Sequence, residues 1–580
     1  MTVADIGARL DDAQLRVRQP EVGERSHPRS AAWLAATVIA IGLGLRVVQY
    51  AARRSLWHDE AMISLNVVSR SFLGMLDRLD YNQSAPVLFL WGQWLLTRVA
   101  GVNELALRAL PLLAGIALLV VFWRFAARLV GLEAALVALA LAALSPMFIY
   151  FSNEAKPYIL DALITVVLLR LALDVVETPE PGRPWWRLIG AGAGALLAST
   201  PSLFVLAGVG ASLASSRRVR TARAGWIRLG LAAAVWLGSF AVIYLALLRP
   251  VAVSDYMQLY WAPDFLPLAF PEMFTHSARV ARGVVIGALF GAEDAVRLPP
   301  RTLFVVLLVS VVGAVALVRR RGWWVLVLLG GPAAATAGAS LLHQWPLIAR
   351  LLLFLVPAFL ILFATGLATL ATLVSKQFRV VALASTVALV LFPAGRRAVR
   401  DAASPVVRQD SRPVIAEFMR RHHPGAAIYV SHSIEPAWTF YTTRWGSSRQ
   451  SLIEREIARR GDVGRNQSAQ GCAVHPCDAR VVRGSLMPAR WGDSSATARA
   501  AMDRWADSEV ARIKAASAPE TWLLFIPYND PARGERQRIK ARMGGEPGFS
   551  RAADMVRLEA YYFTAPPTRG MPAGHKTTGP

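Results

Sequence analysis

Residues 31–61 read AAWLAATVIAIGLGLRVVQYAARRSLWHDEA. An apolar run with one charge, Arg46, ends in Arg53 and Arg54, and two adjacent carboxylates, Asp59 and Glu60, follow within ten residues. About 20 apolar residues in helical form span the roughly 30 Å hydrocarbon layer, so Ala31–Tyr50 reads as a membrane crossing. Residues 1–30 are polar and mixed in charge, which predicts a cytoplasmic N-terminal tail and a retained first span rather than a cleaved signal peptide.

Further along the chain the pattern repeats. The 580 residues are 54% hydrophobic and only 18% charged, and roughly ten such apolar stretches precede residue 396. That excludes a small soluble enzyme and a disordered chain. The formal charge of +24 does not imply nucleic acid, because the arginines cluster between apolar runs, as at Arg217, Arg218, Arg220 and Arg223, and at Arg319–Arg321. Such clusters mark cytoplasmic helix ends facing anionic lipid. Two cysteines exclude a disulfide scaffold or an iron–sulfur protein.

Parity then sets the topology. Ala85–Val99 is too short to cross and is expected to lie along the outer surface, which leaves Arg124 and Arg128 inside. Residues 51–104 become one external loop with amphipathic juxtamembrane helices, the stretch from Ile63 to Leu79 lying flat on the bilayer. Spans are expected at Leu105–Phe125, Leu132–Phe151 and Ile159–Val176. Leu188–Ser215, interrupted at Pro201, is expected to form a hairpin of two short helices, with one kinked span as the alternative, since proline breaks the ladder and such a break must be covered by protein or a cavity. Leu229–Leu248, a second large external loop over 249–300, Leu303–Val318, Trp323–Leu341, Leu347–Thr369 and Val380–Leu391 complete eleven spans.

A transmembrane domain over 31–395 thus precedes a soluble external domain over 396–580. A helix at Pro413–Arg421 and strands at Ala427–Val430, Trp522–Ile526 and Ala560–Phe563 predict an α/β or α+β fold there. Cys472 and Cys477 in GCAVHPC read as a local disulfide; a metal site with His475 is the alternative. Trp438, Tyr441 and Trp445 are expected to pack in a core rather than stack on a sugar.

Candidate chemistry gathers on the external side. Asp59 is the expected general base, with Glu60 and His58 beside it, because a shielded carboxylate at a membrane-level cleft suits that task. SNEAKPY supplies Glu154, Lys156 and Tyr158; the lysine either binds a lipid phosphate or pairs with Glu154. HQWPLIAR supplies His343 and Arg350, the latter one turn into an apolar span, where charge is costly. Arg108 follows Glu104 by one turn and invites a brace between them. Cations at helix ends with acids on a loop suit transfer from a lipid-phosphate-linked sugar: the cations hold the departing phosphate and the carboxylate takes the acceptor's proton. Neither a Gly-rich phosphate loop nor HExxH occurs.

Over most of residues 31–395 the chain resembles the polytopic GT-C glycosyltransferases, in style the bacterial branch related to protein O-mannosyltransferases and lipid A aminoarabinose transferases. The resemblance rests on Asp59 and Glu60, NQSAPVLFLWGQWLL (Asn82–Leu96), NELALRALPLLAG (Asn103–Gly115), EAKPY (Glu154–Tyr158) and Arg350. It implies juxtamembrane helices in the first loop, Asp59 as base, Arg108 assisting at the outer face, polyprenyl-phosphate sugars as donors and inversion at the anomeric centre. Two departures stand out: no histidine occurs in Asn82–Pro86, leaving Gln83 as a substitute, and Lys156 replaces the commoner arginine, keeping charge without the bidentate fork. Members of the wider family differ in metal use, the nearest branch being metal-independent, so no cofactor is expected.

The resulting expectation is an inverting glycosyltransferase in the bacterial inner membrane. It would serve a glycan, lipid or protein acceptor of the envelope, with membrane lipids and no nucleic acid as its other partners. A transporter or flippase for lipid-linked substrates, or a non-catalytic envelope-assembly protein, are the alternatives; the former predicts midplane charges and related halves.

Overall fold

The computed structural model describes residues 28–178, 182–423, 425–443, 445, 480–485, 495–516, 518, 520–525, 534–544, 550–555 and 558–563. Cys472, His475 and Cys477 lie outside the described residues. The helical part begins with α1 (Pro28–Ala51), α2 (His58–Ser69), α3 (Val87–Ala100) and α4 (Glu104–Val130). It continues with α5 (Leu132–Leu144), α6 (Pro146–Phe151), α7 (Tyr158–Glu177), α8 (Gly182–Ala198), α9 (Ser202–Ser215) and α10 (Arg223–Ile243). The last helices of this part are α11 (Phe270–Ala281), α12 (Pro300–Arg321), α13 (Trp323–Leu341), α14 (Val356–Ala371) and α15 (Lys376–Ala403).

Among the described residues, seven helices are long and apolar enough to cross a membrane. Of the four other expected crossings, Ile159–Val176 is the continuous α7, which carries Asp161, Arg170, Asp174 and Glu177, and the other three are short or broken helices. The Leu132–Phe151 run breaks into α5 and α6 at Ser145-Pro146, where Ser145 caps the new helix and donates its hydroxyl to the Ala288 carbonyl at 2.8 Å. The expected hairpin is present as α8 and α9: Arg218, just past α9, donates to the Val176 carbonyl at 2.8 Å, so the chain returns to the end where α7 finished. Gly313 of α12 and Gly366 of α14 let the two backbones touch, since a Cβ on either would overlap a facing carbonyl.

Helix α15 runs past Gly395 to Ala403, so the water-soluble composition begins while the chain is still helical. Beyond it lie α16 (Ser411–Arg421), β1 (Ala427–Val430), α17 (Glu435–Thr442), β2 (Arg480–Arg483), α18 (Ala496–Ala515), β3 (Thr521–Phe525), α19 (Glu535–Met543), β4 (Ser550–Met555) and β5 (Leu558–Phe563). The sheet order is β2-β1-β3-β5-β4, parallel between β1 and its two neighbours and antiparallel beyond β3. Side chains alternate across it. Tyr429, Leu523 and Phe525 meet Met502, Ala506 and Ile539 on one face.

Ile428, Val430, Trp522 and Leu524, on the other face, join a core that includes Phe418, Trp438 and, from the first loop, Ile63 and Val67. The apolar face of α2 is therefore covered by the C-terminal domain rather than laid on the bilayer. Burying it against protein removes the same apolar area and fixes the loop's position as well. Trp438 and Tyr441 are fully buried in this core, as a packing role requires.

Candidate active site

At one end of the bundle, buried charge concentrates between α2, the α6–α7 turn and the start of α14. Asp59 and Glu60 occupy the first turn of α2, not an irregular segment. The helix dipole favours anions there, and consecutive helical residues still point about 100° apart. Glu60 turns inward. Arg108 forks onto it with Nε at 2.9 Å and Nη2 at 2.6 Å, and Oε1 also accepts from the Ala155 amide at 2.7 Å. The brace expected between Arg108 and Glu104 does not form; Glu104 instead accepts from Arg412 at 2.6 Å and from the Tyr441 hydroxyl at 3.1 Å.

Asp59 turns toward the other cations. Lys156 Nζ lies 3.0 Å from Oδ1 and Arg350 Nη1 lies 3.6 Å from Oδ2. Lys156 also donates to Gln83 Oε1 at 2.8 Å. The lysine thus pairs with Asp59, not with Glu154. Burial opposes the charge on Asp59, but Lys156 and Arg350 outweigh it and hold the carboxyl below the usual carboxylate range. Arg350 opens the 3-10 segment Ala349–Leu355 that leads into α14, so it stands at a helix end rather than a turn inside; its guanidinium lies 6.0 Å from the Trp261 ring.

Glu154 is 1% exposed, accepts from Trp57 Nε1 at 3.0 Å and keeps Oε2 buried without a partner. Burial pushes its carboxyl above the usual range, against the pull of Arg408 at 3.9 Å. His58 offers its backbone amide to Gln409 at 2.7 Å, and burial pulls its imidazole down to about 4. Tyr158 is buried edge-on to Phe151. His343 is exposed at the end of α13, stacked on Phe265 at 4.9 Å, and makes no described contact with the cluster.

Several residues not expected from the sequence complete the cluster. Arg408 lies 4.5 Å from the Trp57 ring and 4.8 Å from Tyr150, in the strap between α15 and α16. Arg54 donates to the Asn153 carbonyl at 3.0 Å and the Val406 carbonyl at 2.6 Å. The strap's pattern of charges carries no motif, so only its placement reveals it. Arg46 did carry a signal, as the single charge in the first span. It is fully buried and donates to the Gly42 carbonyl of its own helix and to the Ala142 and Ala143 carbonyls, capping the negative end of α5 at the Ser145-Pro146 break.

Around Asp59, Glu60 and Glu154 stand Arg54, Arg108, Lys156, Arg350 and Arg408, five cations to three carboxylates. The surplus suits an anionic ligand. Among the described residues no group of three His, Cys, Asp or Glu side chains is placed to hold a metal.

Residues 84–244 match the family model described as dolichyl-phosphate-mannose-protein mannosyltransferase. The structure is similar to that of ArnT from Cupriavidus metallidurans in the apo state, with a TM-score of 0.51 at 14% identity over 92% of this chain and 98% of that chain. The protein has the GT-C fold. A further GT-C structure, the archaeal oligosaccharyltransferase AglB from Archaeoglobus fulgidus in complex with an inhibitory peptide and a dolichol-phosphate, gives a TM-score of 0.49 at 11% identity over 85% of this chain and 69% of that one. No curated protein matches the sequence. The matched family and the fold are those of glycosyltransferase-type enzymes, and the matched segment contains Arg108, Glu154, Lys156 and Tyr158.

Proposed function

We propose that the protein is an inverting glycosyltransferase, moving a sugar from a polyprenyl-phosphate donor to an envelope glycan, lipid or protein at the outer face of the membrane. The observation that carries the reading is the single carboxylate, Asp59, held by Lys156 at 3.0 Å and Arg350 at 3.6 Å at the mouth of an apolar bundle. Both cations can be shared with a phosphate. As they engage it, their pull on Asp59 weakens and the carboxylate becomes a stronger base. Asp59 then takes the proton from the acceptor hydroxyl or amine while that atom attacks the anomeric carbon. The bond from that carbon to the phosphate oxygen breaks on the opposite face, and polyprenyl phosphate leaves with the electron pair, neutralised by Lys156 and Arg350.

Glu60 and Arg108, with their hydrogen-bonding groups engaged by each other and by backbone, act by fixing the first turn of α2 and the 152–157 turn together. Gln83 orients Lys156. No step requires a metal ion. The outer-face assignment is supported by charge: Arg217–Arg223 and Arg319–Arg321 lie at the other end of the helices, the end that the positive-inside rule gives to the cytoplasm.

The test is transfer from defined polyprenyl-phosphate sugars to envelope acceptors by the purified full chain. Asp59→Asn should lower turnover by about a thousandfold while donor still binds. Turnover within threefold of wild type, or use of nucleotide sugars in place of the lipid donor, would overturn the reading.

A further inference from the structure

A second basic pocket lies apart from the carboxylate cluster and shares no residue with it. It is an open space of about 580 Å³ between the loop preceding α12 and the last turns of α15, faced by Arg297, Arg396, Arg397 and Arg400 and walled by Phe290 and Pro393. That volume matches sites for small organic ligands. Two of the arginines are held by one carboxylate: Asp401 lies 3.4 Å from Arg397 Nε and 3.5 Å from Arg400 Nε. Gly291, with φ of +102°, leaves the room Arg397 fills, since a Cβ there would meet its guanidinium at 2.8 Å. Arg282 donates to the Ala295 and Leu298 carbonyls and braces the turn that carries Arg297.

Position decides the ligand. Gln49, near the end of α1, donates to the Asp401 carbonyl, which sets the pocket at helix-end level on the side of Asp59. One turn inward along each helix the surface is apolar and exposed: Leu389 and Phe392 on α15, Phe304 and Val305 on α12. Four arginines above bare hydrocarbon-facing side chains match a molecule with an anionic head and acyl tails. They also stand at the end where the positive-inside rule expects few basic residues, so cytoplasmic anchoring does not account for them.

We infer that this pocket binds the phosphate headgroup of an anionic membrane phospholipid, with its tails along α12 and α15. Guanidinium forks engage phosphate oxygens in pairs, and Phe290 and Pro393 cover the glycerol region. The inference rests on residues separate from those of the proposed transfer reaction and stands or falls without it.

The test uses the full chain in nanodiscs of phosphatidylglycerol and phosphatidylcholine mixed in equal parts, washed into detergent, with retained lipid counted by mass spectrometry. Wild type should keep phosphatidylglycerol over phosphatidylcholine. The double variant Arg396→Gln/Arg400→Gln, and separately Arg297→Gln, should lower that retention, the double variant by about tenfold. Arg542→Gln on α19, on the sheet face turned away from the bundle, should leave it unchanged. Equal retention by wild type and both pocket variants, each melting as wild type does in phosphatidylcholine alone, would overturn the inference. So would displacement of the lipid by millimolar inorganic phosphate, which would assign the pocket to a free anion.

Discussion

The two ends of the helical bundle solve the problem of placing charge in opposite ways. At the basic end, Arg128 reaches Asp174 and, at 2.8 Å, Glu177; Arg321 reaches Glu177 at 2.7 Å and Arg379 reaches Glu133 at 2.6 Å. These side chains are a fifth to a half exposed and straddle separate helices as solvated clips. At the other end, the Arg108–Glu60 pair is 5% and 2% exposed and the Lys156–Asp59 pair 6% and 14%. Buried ion pairs cost desolvation that a solvated pair avoids. A cluster that accepts this cost, and leaves Glu154 Oε2 without a partner, has the perturbed buried charges that functional sites concentrate.

The two ends should differ most at Lys156. Lys156→Ala should lower kcat by at least about a hundredfold, the scale of a lost anion-stabilising donor, while Arg128→Ala leaves kcat within twofold. Equal losses from both variants would erase the distinction between the ends. Next, Arg108→Ala strands Glu60 without its fork and should cost about 3–5 kcal/mol in denaturant unfolding. Glu154→Gln sharpens the picture through pH. Because its folded carboxyl sits above its ordinary range, the folded state holds the proton longer than the unfolded one, so this residue's contribution to stability falls as pH rises beyond about 4.5. The glutamine variant keeps an acceptor for Trp57 and should gain on wild type as pH rises above about 4.5, read as a difference in Tm that widens with pH. The smallest effect belongs to Arg128→Ala on stability, under about 1 kcal/mol and shrinking further in high salt.

Much of this end could be read in advance because burial inside a membrane makes charge conspicuous. Asp59, Lys156 and Arg350 each interrupt or border an apolar run, and parity alone sends them to one side. The pairings were not readable. Glu104 lies one turn from Arg108, yet the arginine crosses to Glu60, 48 positions earlier, because the α2 helix presents both carboxylate oxygens to it. Lys156 prefers Asp59 to Glu154 because the latter's Oε1 is taken by Trp57 and its other oxygen faces inward. His343, named by its position in a loop, stacks on Phe265 away from the cluster.

The C-terminal domain shows the same division. Three of its strands, β1, β3 and β5, stand out as short apolar runs in the sequence, but its use of α2 as part of its own core was invisible. Leu56 offers its amide to the Tyr441 hydroxyl at 2.7 Å and its carbonyl to Ser411 at 3.2 Å; Ser55 donates to Asp410 at 2.7 Å. The segment leading to Asp59 is thus held from both sides, by the bundle and by the domain that follows it.

Hydrophobic periodicity and the cost of charge in hydrocarbon act locally, so the chain's order of residues was enough to set most of the long helices, their membrane character and the common end at which the acids and cations gather. Which cation meets which carboxylate, how Arg408 and Arg54 reach the site from distant segments, and where an amphipathic helix hides its apolar face depend on contacts between positions up to several hundred residues apart. Those contacts are chosen by desolvation and close packing in three dimensions, and only the folded molecule specifies them.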